Sequence, residues 1–219
     1  HWPLLRRCSA IVASRRLRPL VADLPASIIE ITPVARMLDQ VETALATGDV
    51  AVLASGDPLF YGIGRTLIDR FGPEQICVHP ALSAVQLACA RFRLPWDDAA
   101  LLSLQGRSVG DLPGRVLRHR KALLFTDGHN TPNRVAATLM AALTDCADQE
   151  RLSAIRIRVA ENLGLPNEHL TSGTLAEIAG RTFAPLNMVL IEQPAPPADF
   201  RFGLGEDDIQ HSRGLITKD

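Results

Sequence analysis

The chain has 219 residues, 47% hydrophobic and 21% charged, with 23 Lys and Arg against 24 Asp and Glu for a net charge of −1. That much apolar material supports one substantial core or two modest ones, which excludes a disordered or fibrous chain. The balanced charge gives no global footprint for nucleic acid or an anionic membrane, and no apolar run approaches the length of a spanning helix.

The amino terminus, His1-Trp2-Pro3-Leu4-Leu5-Arg6-Arg7, lacks the long apolar stretch and cleavage site of a signal peptide. Cys8, Cys77, Cys89 and Cys146 are widely spaced with no C-x-x-C pair, and the histidines show no ligand spacing. Free buried thiols, no metal site and a reducing, cytoplasmic location are expected.

Strand-like apolar runs are predicted at residues 10–13, 28–31, 50–54, 75–78 and 101–104. Helical patterns fall between them at 35–47, 63–71 and 82–92, the last with Leu82, Val85, Ala88 and Cys89 on one face. Strands and helices alternating in this way predict a parallel sheet covered by helices.

Gly106, Gly110, Pro113 and Gly114 then interrupt the pattern, so a boundary is expected between 106 and 118. Residues 1–114 would form one α/β domain, 115–193 a second, and 194–219 a linker and the start of something further. The second domain is predicted to hold a basic helical segment at 115–121, a strand at 122–126 and a helix at 132–143. A half-exposed strand at 154–160, with Arg156 and Arg158 on one face, a helix at 175–179 and a strand at 188–191 complete it. Gln193-Pro194-Ala195-Pro196-Pro197 has the composition of a semi-rigid linker. There is no internal repeat.

Residues 50–64 read VAVLASGDPLFYGIG, an apolar run that ends in Ser55-Gly56-Asp57-Pro58. A buried strand delivering such a turn places it at the strand's carboxyl end, where open α/β sheets bind ligands. On the residues alone the same tripeptide reads as a plain turn, with Asp57 bonding its own backbone or capping the next helix. No G-x-S-x-G, H-E-x-x-H or P-loop pattern competes with it.

The 53–64 segment resembles the Gly-Asp-Pro signature of the tetrapyrrole methylases, S-adenosylmethionine-dependent enzymes of cobalamin and sirohaem synthesis. Later segments resemble that family in order: His79-Pro80-Ala81-Leu82-Ser83-Ala84, Leu94-Pro95-Trp96, Phe125-Thr126-Asp127 with Asn130-Thr131-Pro132, Glu161-Asn162-Leu163-Gly164 and Leu186-Asn187-Met188. The resemblance covers most of residues 10–192 and is nearest to the members that methylate carbon 5 of precorrin or cobalt-precorrin intermediates. It implies the tetrapyrrole methylase fold, two α/β domains with the cofactor cleft between them, a homodimer, and S-adenosyl-L-methionine as cofactor.

By that resemblance Ser55, Gly56, Asp57 and Phe60 would line the cofactor, with Ser83 and Ala84 touching it from the next loop. Thr126, Leu163, Gly164, Leu186 and Asn187 would close it from the second domain. A corrinoid acceptor carries several carboxylates, which arginine forks suit, so Arg15, Arg16 and Arg107 are candidate substrate ligands, with Arg91 and Arg93 behind them. Tyr61 either packs the helix start or projects toward the macrocycle.

No catalytic residue is assigned, because an electron-rich ring carbon attacks a sulfonium methyl directly once the two are aligned. Gln105-Gly106-Arg107 stands where related sequences carry His-Gly-Arg, and Gln105 cannot move a proton as that His could. His129, beside Asp127 and Asn130, is the histidine to test as a proton carrier. Two departures accompany the resemblance. Nothing before Ala10 matches the family's opening Gly-rich turn, and residues 202–218 resemble the start of a fused enzyme that methylates carbon 15 and decarboxylates the same macrocycle. Other readings are a methyltransferase of the same fold acting on ribosomal RNA or protein, and a non-catalytic fragment that keeps only fold and dimerisation.

Overall fold

A computed structural model describes residues 1–31, 33–106 and 110–194. They form two compact units, one ending at Arg93 and the other beginning at Leu94.

The first unit is built on a three-stranded parallel sheet in the order β2-β1-β3, with β1 at Ala10–Ala13, β2 at Ser27–Glu30 and β3 at Val50–Val52. The central strand reads AIVA and is buried along its whole length, because a parallel sheet is covered on both faces. Its side chains alternate between two clusters. Ala10 and Val12 pack with Ile29, Met37 and Val41, while Ile11 and Ala13 pack with Val21. Met37 and Val41 come from the crossover helix α2, Val34–Leu45, where the spacing of four puts them on one stripe. Two further helices follow β3: α3 at Gly64–Phe71 and α4 at Ala84–Phe92, while the short α1, Trp2–Leu5, precedes β1.

The second unit holds a five-stranded sheet in the order β4-β5-β8-β6-β7. Its strands are β4 Ala100–Ser103, β5 Lys121–Phe125, β6 Arg156–Glu161, β7 His169–Gly173 and β8 Asn187–Glu192. Helices α5 Leu112–Val116, α6 Pro132–Asp145, α7 Gln149–Ala154 and α8 Leu175–Ala179 complete it. Val135, Leu139 and Leu143 of α6 recur every fourth residue and pack, with Leu175 and Ile178, onto Leu124, Ile157 and Val189 of the sheet. Burying each such aliphatic side chain contributes about 1.5–3 kcal/mol.

Several expectations need correction. The parallel sheet is found in the first unit, but in the second only β4 and β5 run parallel, and β8 lies antiparallel to both β5 and β6. The strand expected at 101–104 belongs to the second sheet through its ladder with β5, in the compact unit that begins at Leu94. Residues 75–78 form no strand. Pro73–Gln75 is a 3-10 turn, and the chain after it joins no ladder although Ile76 and Val78 are half-buried in alternation. The segment at 115–121 is not one helix, since α5 ends at Val116 and Lys121 already opens β5.

Leu82 is 63% exposed and precedes α4 rather than joining its buried face. All four cysteines are free, yet only Cys89 is buried, with Cys77 and Cys146 exposed. No helix among the described residues is long and apolar enough to cross a membrane.

Candidate functional site

Parallel pairing sends the carboxyl ends of β1 and β3 to the same edge of the first sheet, with Val12 opposite Val52 and the Leu53 amide donating to the Val12 carbonyl at 2.9 Å. Arg15 and Arg16 follow β1 there, both exposed, and Ser55, Gly56 and Asp57 follow β3. The guanidinium of Arg16 donates through Nη2 to the hydroxyl of Ser55. Gly56 has φ +85°, a left-handed backbone that disfavours any side chain, and a Cβ there would stand 3.4 Å from the carbonyl oxygen of Leu82. The Gly-Asp-Pro turn therefore lies close against the 82–83 backbone, which brings Ser55, Gly56, Asp57 and Ser83 together.

Asp57 acts as a turn residue and not as a helix cap. Its Oδ1 accepts from the Leu59 amide at 2.8 Å, whereas α3 begins only at Gly64, whose amide donates to the Pro58 carbonyl at 2.8 Å. A Cβ on Gly64 would meet that carbonyl oxygen at 2.6 Å, so the chain can wind around Pro58 only with glycine at this position. Between these points Phe60 and Tyr61 meet edge to face with centroids 5.0 Å apart, and Tyr61 is 52% exposed with φ +53°. Ser83 caps α4: its hydroxyl accepts from the Gln86 amide at 3.2 Å, and its own amide donates to Gln86 Oε1 at 2.8 Å. Ala84 is the first residue of that helix.

In the second sheet, antiparallel pairing puts the end of β5, the end of β6 and the start of β8 on one edge. Buried Thr126 donates from its hydroxyl to Asn187 Oδ1 at 2.6 Å, and Asn187 Nδ2 donates to the Ala184 carbonyl at 2.6 Å. The Ala184 amide in turn donates to the carboxylate of Glu161 at 2.7 Å, and the Asn162 amide to the Leu186 carbonyl at 2.8 Å. Thr126, Leu186 and Asn187 thus belong to one polar chain, which reaches Leu163 and Gly164 through the turn after β6. Left-handed backbone at Asn162 (φ +51°) and Gly164 (φ +77°) shapes that turn, and the Gly164 amide donates to Glu168 at 2.7 Å.

Glu161 and Ala184 were not singled out as members of this network by the sequence. The available signal was an acidic side chain closing an apolar strand, which can be buried only if hydrogen-bonded.

Asp127 holds the neighbouring loop. Its carboxylate accepts from the amides of Asn130 at 2.6 Å, Gly106 at 2.8 Å and His129 at 2.9 Å. These bonds, that of Asn130 foremost, keep its carboxyl below the ordinary carboxylate range. Gln105 Nε2 reaches the Thr126 carbonyl at 3.4 Å. The His129 side chain is exposed. Arg107 lies outside the described residues, as does the chain after Pro194.

The tetrapyrrole (corrin/porphyrin) methylase family matches residues 3–179. The chain belongs to that family. This tetrapyrrole methylase is 40% identical over 121 residues to the cobalt-precorrin-7 C(5)-methyltransferase of Salmonella typhimurium, a match covering 55% of each chain. It is 34% identical over 172 residues to the precorrin-6Y C(5,15)-methyltransferase [decarboxylating] of Mycobacterium tuberculosis, covering 78% of this chain and 41% of that one. The matched region thus spans about half the length of these curated relatives.

Among solved structures it resembles precorrin-6Y methylase from Archaeoglobus fulgidus, with a TM-score of 0.62, 24% identity and 88% of each chain covered. It also resembles uroporphyrin-III C-methyl transferase from Thermus thermophilus in complex with S-adenyl homocysteine. There the TM-score is 0.64 at 16% identity, covering 87% of this chain and 88% of that one. The tetrapyrrole methylase fold expected from the sequence is the fold these proteins share.

Proposed function

We propose that this tetrapyrrole methylase is an S-adenosyl-L-methionine-dependent C-methyltransferase that acts on carbon 5 of a precorrin or cobalt-precorrin intermediate of cobalamin biosynthesis. The 40% identity to the Salmonella cobalt-precorrin-7 C(5)-methyltransferase carries the reading. The position of the Gly-Asp-Pro turn at the carboxyl edge of the first sheet, where open α/β sheets bind ligands, supports it.

The residues suit such a cofactor. The Gly56 backbone has no side chain to block close approach, and one oxygen of Asp57 is used by the Leu59 amide, leaving the other for a cationic group. In the second unit Thr126, Asn187 and the turn at Leu163 and Gly164 are hydrogen-bonded within the chain and form a fixed polar scaffold of the kind against which an adenine or ribose can lie. When bound, S-adenosyl-L-methionine supplies an electrophilic methyl on sulfur. The protein's share of the chemistry is alignment: holding an enamine-like ring carbon behind that methyl and excluding water, worth up to about 7–11 kcal/mol in favourable cases. Gly56 and Asp57 fix one side of that alignment, and their turn is held by the Leu59 and Gly64 amides.

The same reading includes a cytoplasmic homodimer, and a partnership with the carbon-15 methylating and decarboxylating activity that the name of the Mycobacterium tuberculosis relative couples to carbon 5. Calorimetric titration with S-adenosylhomocysteine tests the cofactor assignment. Binding by the wild-type chain and a loss of about tenfold or more in Asp57→Ala is expected, because a charge-assisted contact is removed. Transfer of a labelled methyl group to cobalt-precorrin-7 then tests the substrate. No binding of S-adenosylhomocysteine by the wild-type chain overturns the proposal.

A further inference from the structure

The turn after β1 is closed by the Leu17 and Arg18 amides, which donate to the Ser14 carbonyl at 2.9 and 3.0 Å and so fix the backbone that carries Arg15 and Arg16. From this turn the Arg16 guanidinium bonds the Ser55 hydroxyl, in the turn that follows the neighbouring strand. Two other arginines of the first unit are neutralised locally: Arg18 pairs with Glu30 at 3.0 Å, and Arg70 with Asp39 and Glu42 at 3.3 and 2.5 Å. Arg16 differs from these two. It is held by a neutral hydroxyl and pairs with no carboxylate among the described residues, so its whole charge stays uncompensated at the carboxyl edge of the sheet.

A guanidinium carries five N–H donors in a rigid planar fork. One donor spent on Ser55 sets the plane of the fork and leaves another edge for a two-point contact with a carboxylate. A flexible exposed arginine would lose side-chain entropy on binding, and the Ser55 bond, made between two strand-end turns, supplies that order beforehand.

We infer that Arg16 anchors a carboxylate of the methyl acceptor and that Ser55 is the positioning residue that orients its guanidinium. The inference rests on the functional reading above for the identity of the acceptor, and adds how the acceptor is recognised: as a carboxylate, by charge and planar geometry. It also links acceptor recognition to the cofactor's turn, since Ser55 is continuous with Gly56 and Asp57.

The test is the affinity of the chain for cobyrinic acid, a corrin polycarboxylate, compared with its fully methyl-esterified form, in wild type, Arg16→Gln, Arg16→Lys and Ser55→Ala. Wild type should prefer the acid by about tenfold or more, the size of one charge-assisted contact. R16Q should lose the preference. R16K should restore only part of it, because an ammonium has no fork. S55A should weaken binding of the acid several-fold and leave that of the ester unchanged, a split that a general loss of structure would not produce. Equal affinity of the wild-type chain for acid and ester, or a preference retained in R16Q, overturns the inference. The acid preference is read without cofactor, so failure of S-adenosylhomocysteine to bind the wild-type chain would count against the methyltransferase reading and not against the carboxylate anchor.

Discussion

The hydroxyl of Thr126 donates to the side-chain oxygen of Asn187 at 2.6 Å, joining the residue just past β5 to the first residue of β8. Thr126 is only 6% exposed, so the bond is made largely away from water. Thr126→Val keeps the shape but leaves Asn187 Oδ1 without that donor, and a loss of about 1–3 kcal/mol in urea unfolding is expected. Thr126→Ser, which keeps the hydroxyl, should recover most of it. Weaker S-adenosylhomocysteine binding in T126V than in T126S would tie the same bond to the cofactor.

Asp127 makes stability depend on acid. Its folded pKa lies below the model-compound value of 3.8, chiefly through the Asn130 and Gly106 amides. Between the folded and unfolded values the unfolded chain binds more protons, so stability rises with pH there. The contribution is complete above the unfolded value and disappears as pH falls through the folded one. Asp127→Asn keeps an acceptor for the 129–130 amides but cannot accept from Gly106 with its new NH2 group. A shallower acid limb in urea unfolding between about pH 5 and pH 2 is expected, with the remaining slope from Asp98, lowered by its bond to Lys121, and Glu177, lowered by the Thr174 amide.

Gly64 is required by contact. A methyl group there would sit 2.6 Å from the Pro58 carbonyl oxygen, which is itself tied down by the Gly64 amide. Gly64→Ala should cost about 1–3 kcal/mol as an overpacked site. Gly128→Ala is the control. Nothing lies within 4 Å of its Cβ position, so its stability should stay within about 0.5 kcal/mol of wild type.

Tyr61 holds a left-handed backbone that costs a bulky residue about 1–2 kcal/mol. Asn adopts that conformation more readily, so Tyr61→Asn should offset the loss of the ring contact with Phe60, itself worth about 0.5–1.5 kcal/mol. Unfolding stability close to wild type, together with a raised KM for the corrinoid acceptor, is the expected pair of results. A large fall in stability would instead assign the ring to packing.

What could be read from the sequence was whatever leaves a one-dimensional trace. The four-residue run of β1 is apolar because both its faces are buried, and α6 shows its stripe at Val135, Leu139 and Leu143. The Gly-Asp-Pro turn was legible because Gly56 and Gly64 are demanded locally, by φ and by contact. By contrast, β7 buries only Thr171 and so gave no hydrophobic signal, although its ladder with β6 is complete. Residues 75–78 carried the alternating pattern without a neighbour to pair with, and β4 looked like a member of the first sheet because pairing partners are not written in a strand. For the same reason the Thr126, Asn187, Ala184 and Glu161 chain could not be found. Its members are far apart in sequence and are brought together by antiparallel pairing alone.

Strand order also sets the length of chain that each ladder must close. β6 reaches β7 across residues 162–168, a tight reversal shaped by Asn162 and Gly164, whereas β1 must wait for residues 14–49 before β3 arrives. Closure entropy rises with the logarithm of the loop, and parallel ladders form more slowly than hairpins. Substitutions in the β6–β7 hairpin should therefore register mainly in the folding rate, and those between β1 and β3 mainly in the unfolding rate. The β6–β7 hairpin is then the early piece, while the β1–β3 ladder that carries the Gly-Asp-Pro turn and the β5–β8 ladder that joins Thr126 to Asn187 across residues 126–186 both form later.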